Sequence, residues 1–282
     1  MAATTPSAWS PPVSTSTDLV TTSLSPDNVA TVVLNRPDVN NAYNTALVEQ
    51  LEAAFEWCAT NPEVRVVWIR GAGRHFQAGA DLAWLQEVRA QSEEDNLAVS
   101  MRTTNLLRSL NEFPKPTVAL VHGGCFGGGV GIIAACDVVV AESTAQFGIT
   151  ESRWGMVGAP LVRQVAGRIG PARLRRYAMS SERFDAARAF GMGLVDELTE
   201  PGGLDEGAQR ITDEILSSGP EAIAATKRSI LRITGQLIDD DEALEMSQEH
   251  AARRLSAEAG AGLQSYLDRT PPPWKPATAS VR

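Results

Sequence analysis

The stretch from Pro114 to Glu151, PKPTVALVHGGCFGGGVGIIAACDVVVAESTAQFGITE, leaves few folds open to this chain. Pro114 and Pro116 punctuate its entry, and Thr117 to Val121 is short, apolar and β-branched, the pattern of a buried strand. Gly127-Gly128-Gly129 carries no side chains, so backbone N–H groups there can face a ligand at close range. Val130 to Cys136 then predicts a helix of small residues, and a second strand follows before the carboxylate of Glu151. Strand, glycine turn, helix and strand in this order fit an α/β layer with mostly parallel pairing. A helix start concentrates orphan N–H donors and partial positive charge, which makes the glycine turn a candidate oxyanion receptor. Glu151, after the next strand, can return beside it.

The flanking sequence extends the same architecture. Leu19 to Leu24 and Val29 to Leu34 read as a hairpin around Ser25-Pro26-Asp27-Asn28. Asn40-Asn41-Ala42 leads to Asn44, a cap for a helix from Thr45 to about Thr60 whose Leu47, Leu51, Ala54, Phe55 and Cys58 share one face. Val64 to Arg70 is a third strand, near-continuously apolar as in a sheet covered on both sides. In the loop His75 to Leu82, Gly79-Ala80-Asp81 reads from its residues either as a turn with Asp81 capping a helix near Ala83 to Val88, or as a second backbone donor; the turn is the simpler reading. Gln91 to Asn96 is polar and leads to a helix from about Leu97 to Asn111. Beyond Glu151, Ala159 to Ile169, Ala172 to Met179, Ala186 to Met192, Leu204 to Ser217, Pro220 to Leu237 and Asp241 to Leu267 are expected as helices, with a short strand at Val195 to Leu198. The expected organisation is a disordered leader (1–17), a core (18–198), a helical C-terminal region (199–270) and a flexible tail (271–282).

A net charge of -9 with a pI near 5.0 disfavours nucleic acid or an anionic membrane as partner, leaving room for a local basic pocket. Cys58, Cys125 and Cys136 form neither a disulfide framework nor a thiolate metal site, and His75, His122 and His250 have no metal-ligand spacing, so no metal is expected. The leader lacks the charged start and apolar run of a signal peptide, and the sequence has no membrane-length apolar run. A cytoplasmic location is the default. Trp154, Met156 and Trp84 are candidates for an acyl-sized pocket or for the core, and Arg74 for a phosphate contact or a solvated surface.

The motifs NRPDVNNA, HFQAGADL, PKPTVALVHGGCFGGG, AACDVVVAESTAQFG and ERFDAARAFGMGLVDEL, in this order from Leu19 to Pro276, resemble the crotonase, or enoyl-CoA hydratase/isomerase, family. The resemblance implies a spiral of β-β-α turns with a C-terminal helical trimerisation region, assembled as a homo-trimer or a dimer of trimers. It implies an acyl-CoA substrate, no further cofactor, and a thioester oxygen held by the N–H groups of Ala80 and Gly128, with Gly79, Asp81 and Gly127 shaping those loops. Tyr266 and Arg269, in SYLDR, match positions that approach CoA from a neighbouring subunit. Two glutamates about twenty positions apart serve as acid and base in typical family hydratases. Glu151 matches the second, and the first position holds Gly131.

Hydration needs a water activated at C3 and a proton delivered to C2, jobs that two carboxylates share naturally. The GGGVG stretch, ERFDAARA and Arg173 to Tyr177 look closest to methylglutaconyl-CoA hydratase-like members that lack one of the glutamates, which implies hydration of a branched or glutaconyl-type enoyl-CoA. A single Glu151 also suits a double-bond isomerase, and Glu151 to Gly155 is similar to feruloyl-CoA (hydroxycinnamoyl-CoA) hydratase/lyases. A CoA-binding scaffold is the non-enzymatic alternative. Gly131 either admits a bulky acyl chain or serves tight helix packing.

Overall fold

The computed structural model describes residues 18–276, so the expected leader (1–17) and the end of the tail (277–282) lie outside the described residues. Strands β1 (Val20–Leu24) and β2 (Val29–Leu34) form the antiparallel hairpin, turning through Asn28 at φ 64°. Helix α1 (Thr45–Thr60) starts where the Asn44 side chain accepts from Leu47 N. Then come β3 (Val66–Gly71), α2 (Leu82–Arg89), α3 (Glu93–Asn111), β4 (Thr117–Val121), β5 (Gly124–Phe126), α4 (Gly128–Ala135), β6 (Val138–Glu142) and β7 (Gln146–Gly148). The remainder is α5 (Val162–Ile169), α6 (Pro171–Ser180), β8 (Phe184–Asp185), α7 (Ala186–Met192), β9 (Glu197–Thr199), α8 (Leu204–Leu216), α9 (Pro220–Ile233), α10 (Asp240–Leu255) and α11 (Ala257–Leu267).

The larger sheet runs β1-β2-β3-β4-β6-β9, parallel from β2 onward, and the smaller one runs β5-β7-β8. The chain alternates between them: β4 in the first sheet is followed by β5 in the second and then α4, and β6 is followed by β7. This is a spiral of β-β-α turns. Along β4, Ala119 and Val121 join the main core with α1, α3, α4 and α5, while Val118 and Leu120 meet α8 on the other face. Burial on both faces is why these strands read as unbroken apolar runs.

Several element limits differ from the sequence expectation, among them the end of α9 at Ile233 and the start of α5 at Val162 after a 3-10 turn. Helix α3 begins at Glu93, because Ser92 caps it through Asp95 N and the acidic first turn suits the positive end of a helix. The helix expected over Asp241 to Leu267 breaks at Ser256, whose backbone is extended and whose hydroxyl accepts from Ala259 N to start α11. The smaller sheet is made of strands of two or three residues, too short to show a periodicity. The C-terminal helices fold back over their own chain. α10 lies along α3, and α11 packs on α2 and on the 3-10 turn at Glu151–Trp154.

Candidate active site

Two loops from successive turns of the spiral meet at one cleft. In the first, Tyr43 N donates to Gly79 O and Asp81 N to Tyr43 O, both at 2.9 Å, so the loop is pinned on either side of Ala80. The Gln77 side chain accepts from Gly79 N at 2.9 Å. Asp81 caps α2 through Ala83 N and Trp84 N and pairs with Arg36 at 2.8 Å. Its charge is therefore committed to holding the loop. In the second loop, Gly127 N donates to Gly148 O at 2.9 Å and Gly128 opens α4. Among the described residues, neither Ala80 N–H nor Gly128 N–H has a hydrogen-bond partner, and both residues line the cleft.

The loops touch glycine to glycine. Gly79 (φ 91°) and Gly127 (φ 52°) both occupy backbone regions that favour glycine. A Cβ on Gly79 would lie 3.2 Å from Phe126 O, and one on Gly127 would lie 3.0 Å from Glu151 Oε1. The acid is thus immediately beside the second loop.

Glu151 starts the 3-10 turn after β7, with its carboxyl group buried and its Oε2 lacking a partner. Burial pushes its pKa up from 4.5 to about 7, against a smaller opposing pull from backbone hydrogen bonds at Glu151 and Thr150. A carboxyl group that titrates near neutrality can both take and give a proton. Tyr43, which the sequence reading did not single out, sits here too. Its ring lies against Gly128, where an added Cβ would come 2.7 Å from Tyr43 Cε1, and it meets Trp84 edge-on at 5.8 Å. Burial first, and then the charge of Glu151, raise its phenol to about 12. The available signal was an aromatic residue directly after Asn40-Asn41-Ala42.

The cleft encloses about 1000 Å³. Its exposed lining includes Arg74, Arg153 and Arg183, with His75 and His122 beside them and Asp38 and Glu142 as acidic members, a rim that is basic on balance on an acidic protein. The Arg183 guanidinium stands 4.9 Å over the Phe126 ring. His75 is held below its usual pKa by burial and then by Arg74, His122 and Arg183. Trp154, Met156 and Tyr266 line the wall, with Trp154 and Tyr266 edge-to-face at 5.2 Å. Tyr266 therefore faces the cleft of its own chain. Trp84 packs behind Tyr43 with Leu85 and Met156 and does not line the cleft. Arg269 also lies off the wall, in a left-handed turn at φ 55° whose N–H donates to Tyr266 O.

Gly131 is buried inside α4 and off the cleft surface. A Cβ there would meet Leu161 Cβ at 2.9 Å and Leu107 Cδ1 at 3.0 Å, so two leucines occupy the space a side chain would need. Both leucines line the cleft, which is apolar where a second acid would stand. No group of three or more His, Cys, Asp or Glu among the described residues could hold a metal ion.

Enzymes of the crotonase kind, which act on acyl-CoA thioesters without a separate cofactor, share this combination of spiral and cleft. The chain belongs to the enoyl-CoA hydratase/isomerase family, whose model matches residues 25–277. It is 30% identical over 245 residues, 87% of its length and 96% of the relative's, to a Thermus thermophilus protein named as an enoyl-CoA hydratase by similarity. It is 30% identical to the hydroxycinnamoyl-CoA hydratase-lyase of Pseudomonas fluorescens, over 86% of this chain and 90% of that one. The crystal structure of an enoyl-CoA hydratase from Shewanella pealeana superposes with a TM-score of 0.75 at 30% identity, covering 91% of this chain and 96% of that one.

Proposed function

We propose that the chain hydrates an α,β-unsaturated acyl-CoA of branched or glutaconyl type. The observation that carries this reading is a buried carboxyl group beside the Gly127–Gly128 loop, in a cleft where the N–H groups of Ala80 and Gly128 have no partner among the described residues. The thioester oxygen accepts from Ala80 and Gly128, whose donors are fixed where negative charge develops as the enolate forms. Glu151 as carboxylate takes a proton from water while the water oxygen bonds to C3, and the resulting carboxylic acid returns that proton to C2. The net change is addition of one water across the double bond, with Glu151 restored. The basic rim at Arg74 and Arg183 suits the phosphates of CoA, and Trp154 and Tyr266 line the path between. No cofactor beyond the CoA of the substrate takes part.

The apolar wall at Gly131 favours a second reading, an isomerase in which Glu151 alone carries a proton between C2 and C4. Turnover in heavy-oxygen water separates the two, since hydration alone places the label in the product. Glu151→Gln is expected to abolish turnover while acyl-CoA still binds; unchanged turnover would overturn the assignment. Binding without turnover on any enoyl ester would leave a CoA-binding scaffold. The same reading includes a cytoplasmic location and a homo-trimer or dimer of trimers. Ile230 and Ile233 on α9 are 56% and 74% exposed, an apolar face that such an assembly would cover, and light scattering on the purified chain tests it.

A further inference from the structure

At His250 the cleft lining backs onto a buried polar cluster, and the polarity of that cluster is unbalanced. Helix α10 turns Ser247, His250 and Arg254 inward onto the Asn96, Ser100 and Thr104 face of α3. Arg254 is 1% exposed, a charge taken almost wholly out of water. Its guanidinium donates to Asn96 O and Oδ1 (3.2 Å each) and to Ser100 Oγ (2.8 Å), and its Nε has no partner. No carboxylate among the described residues pairs with it. A buried cation without a counter-ion is costly to keep, and neutral acceptors compensate it only in part.

His250 relays this charge to the cleft. Arg254 Nη2 lies 3.4 Å from His250 Nδ1, and because a guanidinium only donates, Nδ1 must accept. Burial and the neighbouring Arg254 charge depress the ring to about 3, so it is neutral with its proton on Nε2. Among the described residues that Nε2–H has no hydrogen-bond partner, and His250 lines the cleft. Glu151, Leu161, Leu107, Thr103 and His250 all line this one cleft. A Cβ built on Gly158 would lie 3.3 Å from both the Glu151 carboxyl carbon and Leu161 Cδ2, one on Gly131 would lie between Leu161 and Leu107, and Thr103 lies one helical turn from Leu107 on α3. The lining of the cleft therefore includes, beside its leucines, one N–H donor backed by one unpaired cation.

We infer that the cleft at His250 is a subsite for a carboxylate on the acyl chain, which accepts from His250 Nε2–H and sets its charge against Arg254. The ligand class is an acyl-CoA whose acyl group ends in a second carboxylate a few carbons from the thioester. The inference rests on reading the cleft as an acyl-CoA site and does not depend on which reaction follows.

Its test uses the unreactive thioester glutaryl-CoA, its methyl ester as an uncharged analogue, and calorimetric binding to the full chain. The wild type is expected to bind glutaryl-CoA about tenfold or more tightly than the ester, in line with a charge-assisted hydrogen bond. His250→Phe is expected to bring the ratio close to one, and His250→Gln, which keeps a donor, to hold part of it. The ratio is taken on each variant separately, so a general loss of binding drops out. Arg254→Gln is expected to act in the same direction, and His250→Phe decides the matter if that variant does not fold. Equal wild-type affinity for the two ligands, or a ratio that survives His250→Phe, overturns the subsite. Failure of the wild type to hydrate any enoyl-CoA, with the preference for glutaryl-CoA intact, overturns the proposed reaction and leaves the subsite standing.

Discussion

Replacing Glu151 with glutamine should make the protein more stable, and only at neutral to alkaline pH. The buried carboxyl has a folded pKa of about 7 against 4.5 when solvated, so the folded chain holds its proton more tightly than the unfolded one. That advantage is present in full below 4.5 and disappears as pH rises through about 7, because the buried group must then ionise. The span between the two values, at about 1.4 kcal/mol per pH unit, amounts to about 3 kcal/mol of stability lost by the wild type. Glutamine has the shape of the protonated acid and does not titrate, so the variant escapes this loss. Thermal melts of both proteins at one concentration, from about pH 4.5 to about pH 8.5, should show the variant gaining on the wild type by about 3 kcal/mol, or about 6 to 12 °C in Tm. The gain should concentrate between the two pKa values. A Tm difference that stays constant over this range would mean that Glu151 is not buried as a neutral acid, and the physical basis for its double use as base and acid would fail.

The same titration should appear in catalysis: kcat/KM for an enoyl-CoA is expected to fall about tenfold per pH unit below about pH 7, as the free enzyme loses its carboxylate. Gly131→Glu should not restore a second acid. Its Cβ would press on Leu161 and Leu107 at 2.9 and 3.0 Å, so a loss of about 1–3 kcal/mol in denaturant melts is expected without faster hydration. Tyr43→Phe keeps the ring against Gly128 and should retain most activity, while Tyr43→Ala removes that support and should lower kcat by about a hundredfold, the scale of losing one oxyanion donor. Equal rates for the two Tyr43 variants would remove the ring from this role. Arg183→Ala should raise KM for acyl-CoA at low salt and less so at high salt, where exposed charges are screened.

What could be read from the residues was whatever depends on neighbours in the chain. Asn44 and the apolar face of α1 gave that helix its observed limits, and β2 and β4 ran as their β-branched runs indicated. The family motifs pointed to the loops at Ala80 and Gly128 and to Glu151, which the fold brings to one cleft. The missed features depend on contacts between distant segments. Arg254 meets Ser100 across 154 positions, and nothing local marks either as a partner of the other. Tyr43 matters only because Ala80 lies beside it in a bridge between separate loops. For Gly131 the residues left two readings open, and the side chains of Leu107 and Leu161, which arrive from α3 and from the chain just before α5, fill the space around it.

The contact of Gly79 with Gly127 sets a gauge for the whole cleft. Ala80 and Gly128 belong to different turns of the spiral, so the width of the gap between their N–H groups is fixed by how closely one turn seats on the next. Phe147 pairs with Cys125, two residues before Gly127, and stacks on Phe184 at 5.8 Å in the smaller sheet, so on the proposed reading it acts as a spacer for the second loop. On that reading, a substitution there leaves every group that touches substrate unchanged and still puts the two N–H groups out of step with a single oxygen atom.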